Sequence, residues 1–274
     1  MAREACDEPG KAVIAEVYGR GAESYAAVLD PTLRPLIERR IDRADLAPGR
    51  SVLDLATGTG AVARAAAACG ATVVGADIAR PMVALARRLS GKSIDFVAAD
   101  AAALPLTAAS FDVVTLGLSL SHLVDRPASL AEVVRVLRPG GRLVASSWAG
   151  GKANPAFSAI LDVLRRHASG PVHPFAELLD ESTWSNTESG RAVLHDAGFA
   201  PVHVTTDTMS AKYASPDDAV AWAFAWPSYG NTVRDLDEAT RASVYREAVA
   251  TLRKMDGLGW TASFHCYVAT KSGH

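Results

Sequence analysis

The chain has 274 residues, 49% hydrophobic and 21% charged, the balance of an ordinary soluble globular protein long enough for one large domain with insertions. Its formal net charge is −2, and the short basic stretches Glu38-Arg39-Arg40 and Arg87-Arg88 read as solvated helix faces, so nucleic acid is not expected as a partner. Cys6, Cys69 and Cys266 stand far apart, which argues against a metal-binding Cys pair and a disulfide framework, and no apolar run approaches the roughly 20 residues that cross a bilayer. Met1 to Gly10 is charged and lacks an apolar core, so no signal peptide, no membrane and a cytoplasmic location are expected.

In chain order, residues 11–47 read as helical with a break at Asp30-Pro31. Ser51 to Leu55 is a short apolar strand running into Thr57-Gly58-Thr59-Gly60, and the Ala-rich stretch from Ala61 to Cys69 favours helix and ends at Gly70. Ala71 to Ala76 is a β-branched strand closed by Asp77, and Pro81 to Leu89 is a helix with proline in its first turn. Ser93 to Ala98 and Phe111 to Leu116 are further strands, Ala128 to Leu137 is a helix stopped by Pro139-Gly140-Gly141, and Arg142 to Ser147 is a fifth strand. Beyond Trp148 come a helix at Asn154 to Ala168, an irregular stretch at Pro171 to Asn186, and a helix at Thr187 to Ala197. A strand at Pro201 to Thr208 follows, then a mainly helical segment from Pro216 to Met255 broken near Pro227 to Gly230, and a last strand at Thr261 to Thr270.

Strands alternating with helices predict an α/β, doubly wound, mostly parallel seven-stranded sheet, capped by helical insertions. The expected organisation is a helical gate at 1–47, a ligand-binding core at 48–148, cap insertions at 149–186 and 211–258, a core continuation at 187–210, and the final strand at 259–274.

The chemistry concentrates at strand ends. Val52-Leu53-Asp54-Leu55-Ala56-Thr57-Gly58-Thr59-Gly60 is a strand that ends in a carboxylate and turns through glycines into a helix, where a ligand can approach the backbone closely. Gly58-Thr59-Gly60-Ala61-Val62-Ala63 also fits the dinucleotide pattern GxGxxA. Asp54, however, stands before the glycines, where a pyrophosphate would be repelled and an α-amino group welcomed. Asp77, about 20 residues after the turn, suits ribose hydroxyls, and Asp100 after the third strand suits an adenine amine. A single such Asp is more often a turn or helix cap; three at successive strand ends are harder to explain that way.

These residues resemble class I S-adenosylmethionine-dependent methyltransferases, in the style of the ubiquinone/menaquinone-biosynthesis and natural-product subgroup. Phe111 to Val114, Leu120 to Asp125 and Arg135 to Leu143 resemble that family's fourth strand, following loop and turn before the fifth strand, and Tyr18 to Tyr25 its N-terminal gate. The resemblance implies the Rossmann-like methyltransferase fold, with S-adenosylmethionine as cofactor. It implies a binding set of Tyr18, Tyr25, Asp54, Ala56, Thr57, Gly58, Gly60, Asp77, Ile78, Met82, Asp100, Ala101 and Gly117. Ala56 stands where many members have glycine, and Ser121 where many have a second histidine before His122.

His122, on the loop after strand four, is the candidate general base, against a role in holding the loop. His173, His265, Trp222 and Trp226 are candidates for an acceptor pocket, with Trp222 and Trp226 sharing a helix face by spacing, although most cap aromatics are expected simply to pack. His195 and His203 read as solvated. No cluster has metal-ligand spacing. The resulting expectation is methyl transfer to a small-molecule acceptor through O, N or C. The alternatives are a cyclisation or pericyclic reaction on the same fold, and a dinucleotide-dependent oxidoreductase.

Overall fold

A computed structural model describes residues 9–150 and 154–273, so Cys6 and nearly all of the segment read as lacking a signal peptide lie outside the described residues. β1 (Ser51–Leu55), β2 (Thr72–Asp77), β3 (Asp95–Ala98), β4 (Phe111–Leu116) and β5 (Leu137–Trp148) run parallel. β7 (Gly259–Lys271) lies antiparallel between β5 and β6 (Phe199–Lys212), giving one sheet in the order β3-β2-β1-β4-β5-β7-β6. The order reverses between β1 and β4, and at such a point the connections diverge and leave a crevice at the carboxyl ends of the strands. Asp54 on β1 is in register with Thr115 on β4 and Gly75 on β2. The apolar strands are covered on both faces: Leu53, Leu55, Val114 and Leu116 bury into one cluster, Val52, Val113 and Val144 into another.

Several boundaries differ from the sequence reading. The N-terminal segment does not break at Asp30-Pro31. It runs as α1 (Pro9–Ser24), one π-helical turn (Tyr25–Leu29) and α2 (Asp30–Ala44), with Pro31 in the first turn of α2 where its missing N–H costs least. The strand expected at 142–147 starts at Leu137, and a register shift opposite Phe111 to Val113 accommodates Pro139-Gly140-Gly141. β6 is longer than expected because it pairs with β7 as far as Lys212 opposite Gly259.

Between strands, α3 (Ala61–Ala68) and α4 (Arg80–Ser90) flank β2, and α5 (Arg126–Val136) precedes β5. The later helices are α6 (Pro155–His167), α7 (Glu181–Trp184), α8 (Thr187–Asp196), α9 (Pro216–Ala225), α10 (Pro227–Asp235) and α11 (Glu238–Leu252). α6, α9 and α11 share an apolar cluster that includes Ile160, Leu164, Val220, Val244 and Ala248. α1 crosses α10 closely: a Cβ on Gly21 would come 2.7 Å from that of Pro227 and 3.0 Å from its Cα. No helix among the described residues is long and apolar enough to cross a membrane.

Candidate cofactor and acceptor site

The β1–β4 crevice opens into a cleft of about 1390 Å³ including its mouth, walled by the turn after β1, the ends of β2, β3 and β4, and the N-terminal helices. The turn puts Ala56 at φ 52°, Gly58 at 54° and Gly60 at 80°. Ala56 therefore holds a left-handed conformation that costs an L-residue about 1–2 kcal/mol. Gly58 has nothing within 4 Å of where a Cβ would stand. Gly60 serves packing instead: a Cβ there would meet Phe96 at 3.0 Å and Ala86 at 3.1 Å, and it is absent from the cleft lining.

Three carboxylates follow the strand ends. Asp54 is 1% exposed and accepts hydrogen bonds from the hydroxyls of Thr57 (2.6 Å) and Thr115 (2.7 Å). Burial pushes its pKa up, opposed by those two hydroxyls and by the charge of Arg40. Asp77 accepts backbone N–H bonds from Gly58 and Ala79, both 2.8 Å, so it fixes the glycine turn. Burial nevertheless raises its pKa to about 6. Asp100 accepts from the Ala102 N–H at 2.9 Å and pairs with Lys11 of α1, also at 2.9 Å.

The N-terminal helices close the cleft. The Tyr18 hydroxyl lies 2.9 Å from His122 Nε2, and the Ser121 hydroxyl 3.3 Å from His122 Nδ1. Phe175 packs against both rings, with centroids 5.9 Å from each. Burial raises the pKa of Tyr18, with help from the neighbouring Tyr25 and the charge of Asp77, so its phenol stays protonated. Gly19 and Gly21, within the expected gate, are helical close-approach residues: Gly19 faces Pro81 of α4, and Gly21 faces Pro227.

A methyltransferase-domain family model matches residues 53–145. Nocamycin O-methyltransferase of Saccharothrix syringae is 32% identical over 254 residues, covering 86% of this chain and 89% of that enzyme. The chain belongs to the S-adenosylmethionine-dependent methyltransferase family. Demethylmenaquinone methyltransferase of Thermus thermophilus is 48% identical over 112 residues, 39% of this chain and 50% of that enzyme. The fold is shared with the YcgJ protein of Bacillus subtilis (TM-score 0.58, 18% identity, 87% of this chain and 98% of that one). It is also shared with the [4+2]-cyclase SpnF (TM-score 0.52, 20% identity, 88% and 81%).

The methyltransferase family uses S-adenosylmethionine, and the cleft fits it: an open glycine turn, a carboxylate at each of three strand ends, and a buried guanidinium with an unpartnered Nε, that of Arg40. Tyr18, Tyr25, Asp54, Ala56, Thr57, Gly58, Asp77, Ile78, Met82, Asp100, Ala101, Gly117 and His122 all line it.

Of the four acceptor-pocket candidates only Trp226 does. Trp222 and Trp226 do touch edge-on at 5.6 Å, but Trp226 stands just past the end of α9 at Ala225, so only Trp222 lies on the helix itself. Trp226 sits in the bend before Pro227 and turns into the cleft beside Tyr25 (6.3 Å) and Trp148 (5.7 Å). Trp222 is stacked on Trp260 at 5.6 Å in the core. His265 bonds Thr206 on the neighbouring strand β6 and the Ser185 carbonyl at the end of α7, and His173 packs edge-on against Phe175 and Tyr229. Each is held by packing or hydrogen bonding outside the cleft lining.

Sequence reasoning missed Trp148, Leu33, Leu36 and Ile37, which line the same chamber. It also misread Arg40, which is 4% exposed rather than solvated. The helical period of α2 carried the signal, since Leu33, Leu36 and Arg40 share its buried face.

Proposed function

We propose that this enzyme methylates a hydroxyl on a flat, mainly apolar small molecule, with His122 as general base. The observation that carries the reading is the Tyr18–His122 contact inside the cleft, next to a chamber formed by Tyr25, Trp148, Trp226 and Leu118. Aromatic walls of this kind favour planar apolar ligands through area burial and ring contacts. The Saccharothrix relative is a nocamycin O-methyltransferase, which supports an oxygen acceptor and a place in natural-product biosynthesis.

When bound, S-adenosylmethionine supplies an electrophilic methyl group on a positively charged sulfur. The chain's own work is alignment, exclusion of water and removal of one proton. With His122 as the Nδ1–H tautomer, Tyr18, kept protonated by burial, donates its hydrogen to Nε2, 2.9 Å away, which leaves the phenol oxygen free to accept a hydrogen bond from the acceptor hydroxyl. The acceptor proton moves to the Tyr18 oxygen as the Tyr18 proton moves to His122, so the charge ends on the imidazolium. Asp77 and Asp54 hold the cofactor's polar groups and take no part in this transfer.

The test pairs two flat probes that differ in one atom, 1-naphthol and 1-naphthylamine, each incubated with enzyme and methyl-tritiated S-adenosylmethionine. Extractable label is expected on the naphthol oxygen. Label on the amine alone, or on neither probe while the cofactor binds, contradicts the hydroxyl reading.

A further inference from the structure

Four described residues other than glycine hold a positive φ: Asp45 (51°), Ala56 (52°), Ala109 (51°) and Leu118 (55°). Asp45 caps α2, Ala56 belongs to the turn after β1, and Ala109 lies in the exposed turn before β4. Leu118 is the one with a large apolar side chain. A left-handed backbone brings the Cβ of an L-residue too close to the following carbonyl, a cost that glycine escapes. Leu118 is held in it from both sides. Its N–H donates to the buried Ser146 hydroxyl at 3.2 Å, which also accepts Arg40 Nη2 at 2.6 Å. The Ser119 hydroxyl donates to the Gly117 carbonyl at 2.7 Å. Core burial does not offset the strain, because the side chain is only half-buried and lines the cleft. Strain that the surroundings impose in this way concentrates at ligand contacts.

We infer that Leu118 is a selectivity residue for the acceptor: it walls the chamber beside the reacting hydroxyl and excludes flat acceptors that carry a substituent next to that hydroxyl. This rests on reading the chamber as the acceptor's. Leu118 stands two residues past β4 and four before His122, at the root of the loop that carries the base. That loop is tightened by the His122 N–H, which donates to the Ser119 carbonyl at 2.9 Å. The Leu118 side chain packs in the same apolar cluster as Tyr25, Trp148 and Trp226, which come from other elements. An acceptor whose hydroxyl reaches Tyr18 while its rings lie among those aromatics therefore passes Leu118 near its reacting end. The isobutyl group, on a backbone pinned by hydrogen bonds, sets the width available there. One methyl group in such a wall changes selectivity by about 10–200-fold.

The test compares 1-naphthol with 2-methyl-1-naphthol, which adds one methyl beside the hydroxyl. Binding to the S-adenosylhomocysteine complex of the whole chain is read by calorimetry, and turnover with methyl-tritiated S-adenosylmethionine. Wild type is expected to bind the methylated probe about tenfold or more weakly than 1-naphthol. Leu118→Ala, which removes three carbons, should bring the two within about twofold and leave S-adenosylhomocysteine affinity within about twofold of wild type. Leu118→Gly removes the same carbons and relieves the strain, so it should melt no lower than Leu118→Ala, and it carries the test if the alanine variant does not fold. No preference in wild type, a preference that survives in both variants, or S-adenosylhomocysteine affinity falling along with the phenols overturns the inference. Binding with the expected preference but no label on either phenol would sink the hydroxyl reading and leave Leu118 as the wall. A wild-type complex that binds neither phenol would remove the chamber as the acceptor's site, and this inference with it.

Discussion

Replacing Asp77 with alanine is expected to weaken S-adenosylhomocysteine binding by about 10²–10⁴-fold while the chain still folds. Two ribose hydroxyls donating to one carboxylate are charge-assisted hydrogen bonds of about 1.5–3 kcal/mol each. The same carboxylate also accepts the N–H groups of Gly58 and Ala79, so the substitution also loosens the glycine turn after β1. Calorimetry with folded mutant protein measures the loss, and an unchanged dissociation constant would show that Asp77 does not face the ribose.

A pH dependence follows from the same group. Its pKa in the folded chain, raised by burial from 3.8 to about 6, means that ionisation opposes folding. The stability linked to its protonated form is fully present below about pH 4 and is lost as pH rises through about 6. Cofactor affinity runs the other way, because the ionised carboxylate is the better acceptor. Affinity should therefore fall about tenfold per unit as pH drops below about 6, and this component should vanish in Asp77→Ala.

The second large effect is on turnover. His122→Ala should lower kcat by about 10²–10⁴ with a neutral hydroxyl acceptor and barely change cofactor affinity, since general-base catalysis contributes on that scale. In wild type the rate should rise with pH through an imidazole titration, and in the mutant that rise should disappear. Tyr18→Phe separates base from relay: it removes the hydroxyl 2.9 Å from Nε2 but keeps the ring against Phe175. A pH profile identical in wild type and His122→Ala would assign His122 to holding the loop after β4.

The row of strand-end acids lining the cleft was legible in the sequence because its determinants are local. Each acid follows directly on an apolar strand, and the glycine turn sits between strand and helix, so reading the strands placed Asp54, Asp77 and Asp100 along one edge. Ala56 was legible as a departure, but not as a residue forced to φ 52°. The acceptor side was less legible because it is assembled from distant segments. Trp226 reaches the cleft because α9 stops at Ala225, two residues before Pro227; helical spacing put it beside Trp222, which it touches edge-on, but did not show that it faces the cleft while Trp222 does not. Arg40 was read as solvated because its neighbours Glu38 and Arg39 are charged. Its burial depends on Ser146 and Gly117, 106 and 77 residues away in the chain. His265 looked available near the last strand, and cross-strand pairing with Thr206 explains why it is not.

The most direct measurement is calorimetric titration of the unmodified chain with S-adenosylhomocysteine and, separately, with NADH. Asp54 ahead of the glycines, with Asp77 on the turn, predicts saturable one-to-one binding of S-adenosylhomocysteine and no heat of binding from NADH. Saturable NADH binding with no response to S-adenosylhomocysteine would contradict the account at its centre.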